Sequence, residues 1–223
     1  MNELNKKVIG GLLTHILLVA VPVFMAAGTF NYWQGWVMLI IYSLALHGIN
    51  FYRMRNDTQL LERRMQVGAE KDKSQRMIQP FMLIAFGAAL VIPAIDHRLA
   101  WSIVPAYVVA IGDVLVGLGL FAIFFVFKEN TYASAIIEIA AEQKIIDSGL
   151  YGIVRLPMYT GGVIMLLGVP LPLGSWWGLL ALVTSTLVLI WRIVEEEKVL
   201  IKNLAGYTDY QKRVKFRLVP FIW

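Results

Sequence analysis

The residues best suited to chemistry in this sequence stand at the end of its last long apolar run, where Arg192 is followed by Glu195, Glu196 and Glu197. Arg192 and Glu196 are four residues apart, so their side chains share one face of a helix and can interact. A guanidinium binds a carboxylate or phosphate through two parallel hydrogen bonds, and a carboxylate can orient an acceptor or take its proton. Ionisable groups at the end of a membrane helix are costly, which favours a functional role.

A plainer interpretation of this charged group is an interfacial collar, because charged residues end most membrane helices and Lys198 continues the run. In the sharper interpretation Arg192 holds an anionic group of an acceptor, while Glu196 orients that acceptor or accepts a proton. The pattern by itself leaves both open.

A second candidate segment covers residues 149–159, which are polar and lie between apolar runs. The Asp-Ser-Gly turn at 147–149 favours a chain reversal, and Pro157 keeps Leu156 out of a regular helix. Irregular backbone at membrane depth is tolerated where it is buried in protein or lines a cavity. Tyr151 and Tyr159 in this segment are either interfacial aromatics or a ring-and-hydroxyl clamp for an adenosine.

The elements that must position these groups are membrane helices. Hydrophobic residues make up 58% of the 223 residues, and apolar runs of about 20 residues recur, each long enough to cross a bilayer. We predict an all-α membrane bundle of five or six spans, at about 8–30, 34–52, 78–95, 101–127, 160–173 and 176–194. Residues 1–223 form a single integral domain, with 1–127 as scaffold and 128–223 as catalytic region.

The charge distribution sets the expected orientation. With the N-terminus in the cytoplasm, Arg98 is the only one of 20 Lys and Arg residues that falls outside. This asymmetry follows the positive-inside rule and predicts a multi-pass protein with both termini cytoplasmic. The net charge of +5 is then explained by topology and anionic lipids, so nucleic acid is not an expected partner.

Several classes of site are disfavoured by what the sequence lacks. There is no cysteine, and three scattered histidines offer no metal-ligand spacing, so we expect no metal. No Gly-x-Gly-x-x-Gly follows a strand, which excludes a soluble Rossmann-type domain. Asp113 is ionisable within a span and lines either the cavity or a helix contact near Gly112 and Gly117.

The C-terminal motifs resemble those of the isoprenylcysteine carboxyl methyltransferase family, whose C-terminal region is shared with the phospholipid methyltransferases. The shared pattern is Gly-x-Tyr-x-x-x-Arg-x-Pro-x-Tyr at 149–159, Arg-x-x-x-Glu-Glu from Arg192, Gly-Tyr-x-x-Tyr at 206–210 and Val-Pro at 219–220. The resemblance covers residues 128–223 closely, the first half only in outline, and the final residues look like those of bacterial members.

The resemblance implies S-adenosylmethionine as cofactor, a cytoplasmic C-terminal pocket, and Arg192 and Glu196 as the residues that bind and activate the acceptor. By the same resemblance, the residues that wrap the cofactor are Glu138, Gln143, Lys144, Ile145, Ile146, Tyr151, Leu156, Pro157, Met158 and Tyr159. Leu156 departs from the family motif, which has histidine there. A leucine side chain cannot hydrogen-bond, whereas backbone contacts of the loop could persist.

The function implied is an integral membrane methyltransferase, in a bacterial cytoplasmic membrane, that acts on a lipophilic or lipidated acceptor. A prenylcysteine-like carboxylate is the acceptor that the resemblance suggests. Phospholipid amines and small thiols are the alternatives within the wider superfamily. A non-catalytic membrane protein that holds lipids or a partner is the alternative from another class, and the oligomeric state is not set by the sequence.

Overall fold

The computed structural model describes residues 3–64, 73–136, 139 and 143–223, with side chains from residue 9 onward. In these ranges the chain is all helical: α1 (Glu3–Ala27), α2 (Trp33–Asn56), α3 (Thr58–Arg64), α4 (Lys73–Leu99), α5 (Ala106–Glu129), a 3-10 turn (Gly149–Gly152), α6 (Pro157–Gly168), α7 (Gly178–Asn203) and α8 (Tyr207–Arg213). The predicted all-α class is confirmed.

Among the described residues, five helices are long and apolar enough to cross a membrane, namely α2, α4, α5, α7 and the part of α1 from Ile9. Their outward surfaces carry large apolar side chains such as Leu44 and Leu83, as expected for helices in contact with lipid. The chain is therefore a multi-pass membrane protein.

The span predicted at 160–173 is not a full helix, and this is a correction to the sixth span. Helix α6 has 12 residues, about 18 Å, and turns follow it up to Gly174. Pro170 and Pro172 cannot continue a helix, and Gly174 adopts a φ of +68°. The helix and its turns together run along α5, from Met158 beside Phe127 to Pro172 beside Gly112.

The contact between α5 and α6 depends on glycines. A Cβ on Gly119 would lie 2.5 Å from the backbone nitrogen of Met165, and one on Gly168 would lie 2.8 Å from the carbonyl oxygen of Gly112. Small residues let the two backbones approach closely, which is how membrane helices gain packing energy without a hydrophobic driving force. Asp113 is buried beside this helix contact and is not among the residues that line the cavity described below.

One end of the bundle, here called the Tyr32 end, is closed by hydrogen bonds. The Tyr32 hydroxyl donates to the Leu173 carbonyl at 2.5 Å, and its ring stacks on His97 at 3.9 Å. The Asp96 carboxylate accepts hydrogen bonds from the backbone and hydroxyl of Ser102 and from the hydroxyl of Ser175. These contacts fix the turn that leads into α7, and so fix where α7 begins.

The opposite end, here called the Arg192 end, gathers the ends of α2, α5 and α7 with α3 and α8. The sequence of α3 is typical of a short helix lying at the membrane interface. In the structure it is also packed into the bundle, because Leu60 and Leu61 are buried and Leu60 packs beside Val126 and Phe127. Asp57 accepts the Leu60 N–H at 2.9 Å and so caps the first turn of α3.

The glycine contact gives the first testable prediction. Gly119→Ala should lower the free energy of unfolding by about 1–3 kcal/mol, because its methyl group would meet backbone atoms of α6 that cannot move aside. Gly117→Ala is the matched control on the same helix, since no atom lies within 4 Å of its added Cβ. It should be neutral or stabilise by up to about 1 kcal/mol. Thermal unfolding in detergent measures both, and equal effects would contradict the close approach of α5 and α6.

Candidate active site

A cavity of about 840 Å³, including the open space at its mouth, lies at the Arg192 end. It is built from the segment after α5, the segment before the 3-10 turn, the loop into α6, the last turns of α7, and α8. The lining residues are Asn130, Tyr132, Ala133, Ser134, Ile136, Gln143, Lys144, Ile145, Ile146, Tyr151, Arg155, Leu156, Met158, Tyr159, Arg192, Glu196, Leu200, Leu204, Tyr207 and Tyr210.

Arg192, Tyr159 and Glu196 form one hydrogen-bonded group in this cavity. Arg192 Nε donates to the Tyr159 hydroxyl at 3.0 Å, and that hydroxyl donates to the Glu196 carboxylate. Tyr159 is buried in the first turn of α6, where Pro157 at the first helical position fixes the start of the helix. The Tyr159 hydroxyl therefore joins Arg192 and Glu196 at the cavity, where both are partly buried, which does not fit a simple collar of solvated side chains.

Glu197, next to Glu196, has a different task. Its carboxylate accepts from Arg155 Nε at 2.6 Å and from Arg217 Nε, and it is 3% exposed. Arg155 also donates to the carbonyls of Val214 and Lys215, at 2.9 and 2.7 Å. Successive residues on a helix point about 100° apart, so Glu196 faces the cavity while Glu197 holds the loop and the C-terminal tail.

The loop before α6 is also held by its backbone. The amides of Arg155 and Leu156 donate to the carbonyls of Phe216 and Arg217, and the Thr160 hydroxyl donates to Leu218. These bonds supply the partners that irregular backbone needs where water is scarce. The C-terminal tail thus holds the loop that carries Leu156 at the site.

Tyrosine hydroxyls make up much of the polar surface. Asn130 donates to the Tyr151 hydroxyl at 2.7 Å, and the Tyr210 hydroxyl donates to the Tyr151 carbonyl at 2.7 Å. Burial raises the pKa of Tyr151, Tyr207 and Tyr210 above the ordinary value, and nearby carboxylates act in the same direction. These phenols stay neutral near pH 7 and can serve as hydrogen-bond donors and aromatic walls.

The structure brings most of the predicted cofactor residues together on this one cavity. Those that line it are Gln143, Lys144, Ile145, Ile146, Tyr151, Leu156, Met158 and Tyr159. Pro157 does not line it, because its ring is buried at the start of α6. Glu138 lies outside the described residues. Their roles toward a cofactor stay predictions, since a shared cavity shows proximity only.

Leu156 closes the cavity from an apolar cluster. It is buried with Tyr159 of α6, Leu189 and Ile193 of α7, and Leu218 of the tail. A leucine fits these mostly aliphatic neighbours, whereas an imidazole buried there would need hydrogen-bond partners for its ring nitrogens. The departure from the family motif at this position is therefore matched to its surroundings.

Arg64 contacts two residues that line the cavity, and sequence reasoning missed this contact. It donates from Nη1 to the Ser134 carbonyl at 2.8 Å and lies 3.7 Å from the Met158 sulfur. Burial lowers the pKa of the Arg64 guanidinium, and the nearby charge of Arg192 lowers it further. Tyr159 and Glu196 act in the opposite direction, so Arg64 lies within electrostatic range of the Arg192 group. Nothing in the local sequence of α3 signals this contact, because it arises only from tertiary packing.

Comparison with known families gives a match over most of the C-terminal half. Residues 107–206 match the family described as Phospholipid methyltransferase. The matched segment is 100 of the 223 residues, somewhat less than half of the chain. The predicted resemblance to the combined isoprenylcysteine carboxyl and phospholipid methyltransferase group is confirmed over this segment. No curated protein matches the chain significantly.

The methyltransferase match runs from the first turn of α5 to the residue before α8. It contains Arg192, Tyr159 and Glu196. It does not contain Arg64 of α3 or Arg217 of the tail, although both contact the site. The site is therefore completed by parts of the chain that lie outside the matched segment.

The carboxylate pair yields a second prediction. Glu197→Gln should lower the free energy of unfolding by about 3–5 kcal/mol, because an amide leaves the buried Arg155 without a counter-charge and turns an N–H toward one guanidinium. Glu195→Gln is the control, since in the described part of the chain Glu195 forms an ion pair only with the exposed Lys198, and this pair should contribute less than about 1 kcal/mol. Unfolding midpoints measured in one detergent compare the two variants. A Glu197→Gln protein as stable as the control would contradict the role of Glu197 in holding the loop and the C-terminal tail.

Proposed function

We propose that this chain is an integral membrane methyltransferase that uses S-adenosylmethionine and methylates a lipophilic acceptor beside Arg192, Tyr159 and Glu196. The observation that carries the proposal is the joining of these three side chains by hydrogen bonds inside one cavity. The family match supports methyl transfer as the reaction class.

The lining of the cavity fits the proposed cofactor. Ile145, Ile146, Leu200 and Leu204 offer an apolar surface to a purine, while the Tyr207 and Tyr210 rings, 5.7 Å apart, offer π faces to a cation. When bound, S-adenosylmethionine supplies a methyl group that forms a bond to the acceptor's lone pair as its bond to sulfur breaks, leaving that electron pair on sulfur.

The residues of the chain then have separable tasks. Arg192 stays charged and offers a planar fork to an anionic group of the acceptor. Glu196, oriented through the Tyr159 hydroxyl, accepts a proton when the acceptor is an amine or a thiol, and only positions it when the acceptor is a carboxylate. Much of the rate enhancement expected of such a site comes from positioning, on the order of 7–11 kcal/mol for well-oriented reactants.

Among acceptors, Arg192 favours one that carries an anionic group. A prenylcysteine-like carboxylate satisfies it, and so does a lipid that bears a phosphate. The positive-inside pattern supports an Arg192 end that faces the cytoplasm, from which a water-soluble cofactor would enter. The lipophilic acceptor would reach the same cavity from the bilayer.

The third prediction tests the cofactor and separates the enzyme from a non-catalytic lipid-binding protein. Calorimetry on the protein in detergent or nanodiscs should show saturable binding of S-adenosylmethionine. Tyr159→Leu keeps the apolar bulk but loses the ring, and should weaken binding by about tenfold. Tyr107→Leu is the control, since Tyr107 is exposed at the start of α5. No detectable binding at millimolar cofactor would refute the proposed function.

The fourth prediction assigns Arg192 and Glu196 to the acceptor. Glu196→Gln and Arg192→Lys should leave affinity for S-adenosylmethionine nearly unchanged while turnover falls by about 10²–10⁴. Arg192→Lys is the demanding case, because it keeps the charge and removes only the fork. Turnover is read as S-adenosylhomocysteine released with S-farnesylcysteine or phosphatidylethanolamine as acceptor, and Glu195→Gln is the matched control. Full turnover in either folded variant would instead identify the pair as an interfacial collar.

A further inference from the structure

Arg53, on the last turn of α2, is a buried cation with unused donors. It is 5% exposed, and its Nη2 donates to the Asn50 side chain. Its Nε and Nη1 are buried and have no hydrogen-bond partner within the described part of the chain. In that part no carboxylate forms an ion pair with it, and Asp57, the acid within electrostatic range, caps α3 instead.

Arg64 shares an aromatic platform with Arg53. The guanidinium carbon of each lies 5.0 Å from the centre of the Phe127 ring on α5. The two cations are electrostatic neighbours, and Arg64 is in turn a neighbour of Arg192. Three guanidinium groups therefore follow one another from α2 through α3 to α7, with the Glu196 carboxylate near the last two.

Such an arrangement is unfavourable unless an anion compensates it. A buried cation without a counter-charge costs free energy, and a second cation beside it adds repulsion. The ring of Phe127 offsets only part of this cost, since cation–π attraction is weaker than a charged hydrogen bond. Guanidinium forks match the several acceptor oxygens of a phosphate, so the pair has the chemistry of a phosphate site.

The depth of the pair points to the source of that phosphate. Arg53 stands 20 residues after Trp33, which is exposed at the Tyr32 end, and this length of helix spans about 30 Å. That is the thickness of a bilayer's hydrocarbon core, so an α2 helix anchored by Trp33 in one interface places Arg53 at the headgroups of the other. At that level the abundant phosphate belongs to lipids.

We propose that Arg53 and Arg64, on the ring of Phe127, bind the phosphate of a membrane lipid. The site lies outside the family-matched segment except for Phe127, and none of the three residues lines the cavity of the proposed methyl transfer. It is coupled to that cavity, because Arg64 also holds the Ser134 carbonyl and contacts Met158. Lipid bound there would fix one wall of the cavity without being the acceptor.

The test uses the full-length protein purified in detergent without lipid, with dihexanoyl phosphatidic acid as probe. The probe should raise the unfolding midpoint of the wild type in a saturable way, because it binds the folded state. Arg64→Gln should weaken this binding by about tenfold or more. Arg55→Gln is the matched control, because Arg55 is exposed on the same turn of α2 and lies over Phe51 at 4.3 Å. It removes the same charge but should keep the response.

Arg53→Met separates a ligand site from a structural role. If an anion is the natural partner of Arg53, this variant should be at least as stable as the wild type without lipid, and should lose the response to the probe. A variant that is less stable without lipid, or that still responds fully, would overturn the proposal. So would an equal loss of response in Arg55→Gln, which would show unspecific attraction, or an equal shift with inorganic phosphate alone, which would remove the lipid as source.

Cofactor binding by the same proteins keeps this proposal separate from the proposed function. Arg53→Met and Arg64→Gln are measured for S-adenosylmethionine affinity beside the wild type. A wild type that responds to phosphatidic acid but binds no cofactor would leave the lipid site standing and refute methyl transfer. A wild type that binds cofactor but shows no response to phosphatidic acid would refute the lipid site and leave the proposed methyl transfer standing.

Discussion

The geometry of the site depends on the buried pairing of Glu197 with Arg155 and Arg217. The loop that enters α6 has no helix or sheet of its own to hold it, and it carries Leu156 and leads to Tyr159. One carboxylate fixes both this loop and the C-terminal tail to α7, and the backbone bonds between 155–156 and 216–217 complete the attachment. A buried ion pair contributes little net stability compared with apolar packing, but it requires one arrangement of its partners. Here that arrangement sets the distance between Tyr159 and Glu196.

Much of the fold and of the candidate site could be predicted from the sequence, because the sequence patterns that indicate them are local in the chain. The apolar runs predict the long helices, the four-residue spacing predicts that Arg192 and Glu196 meet, and the Asp-Ser-Gly turn agrees with Gly149 at a φ of +51°. The prediction of a full sixth helix at 160–173 was wrong, because hydropathy counts apolar residues and does not register Pro170 and Pro172 as helix breakers. The family motif indicated the cofactor segments, which share one cavity, although that leaves their roles as predictions.

The remainder depended on contacts between distant parts of the chain. Glu197 reads in the sequence as the second half of a pair, and only the direction of its side chain reveals a partner in the loop and another in the tail. Tyr207 and Tyr210 were visible as a motif, but their place in the cavity wall follows from how α8 folds back toward Tyr151. Arg64 gave no signal at all. A polar residue on a short amphipathic helix is ordinarily solvated. The contact of Arg64 with the cavity wall becomes apparent only when α3 is found packed against α5.

The division into a scaffold at 1–127 and a catalytic region at 128–223 stays a prediction. It would assign α3 to the scaffold, although α3 contacts the segment that follows α5. Arg63 and Arg64 donate to the carbonyls of Thr131 and Ser134, so the first half of the chain holds the segment that follows α5. That segment forms part of the cavity wall, beginning at Asn130. Whatever moves α3 must therefore change the cavity. In a membrane this places the site under the influence of the headgroup region, since charges near the surface respond to anionic lipid within about a Debye length.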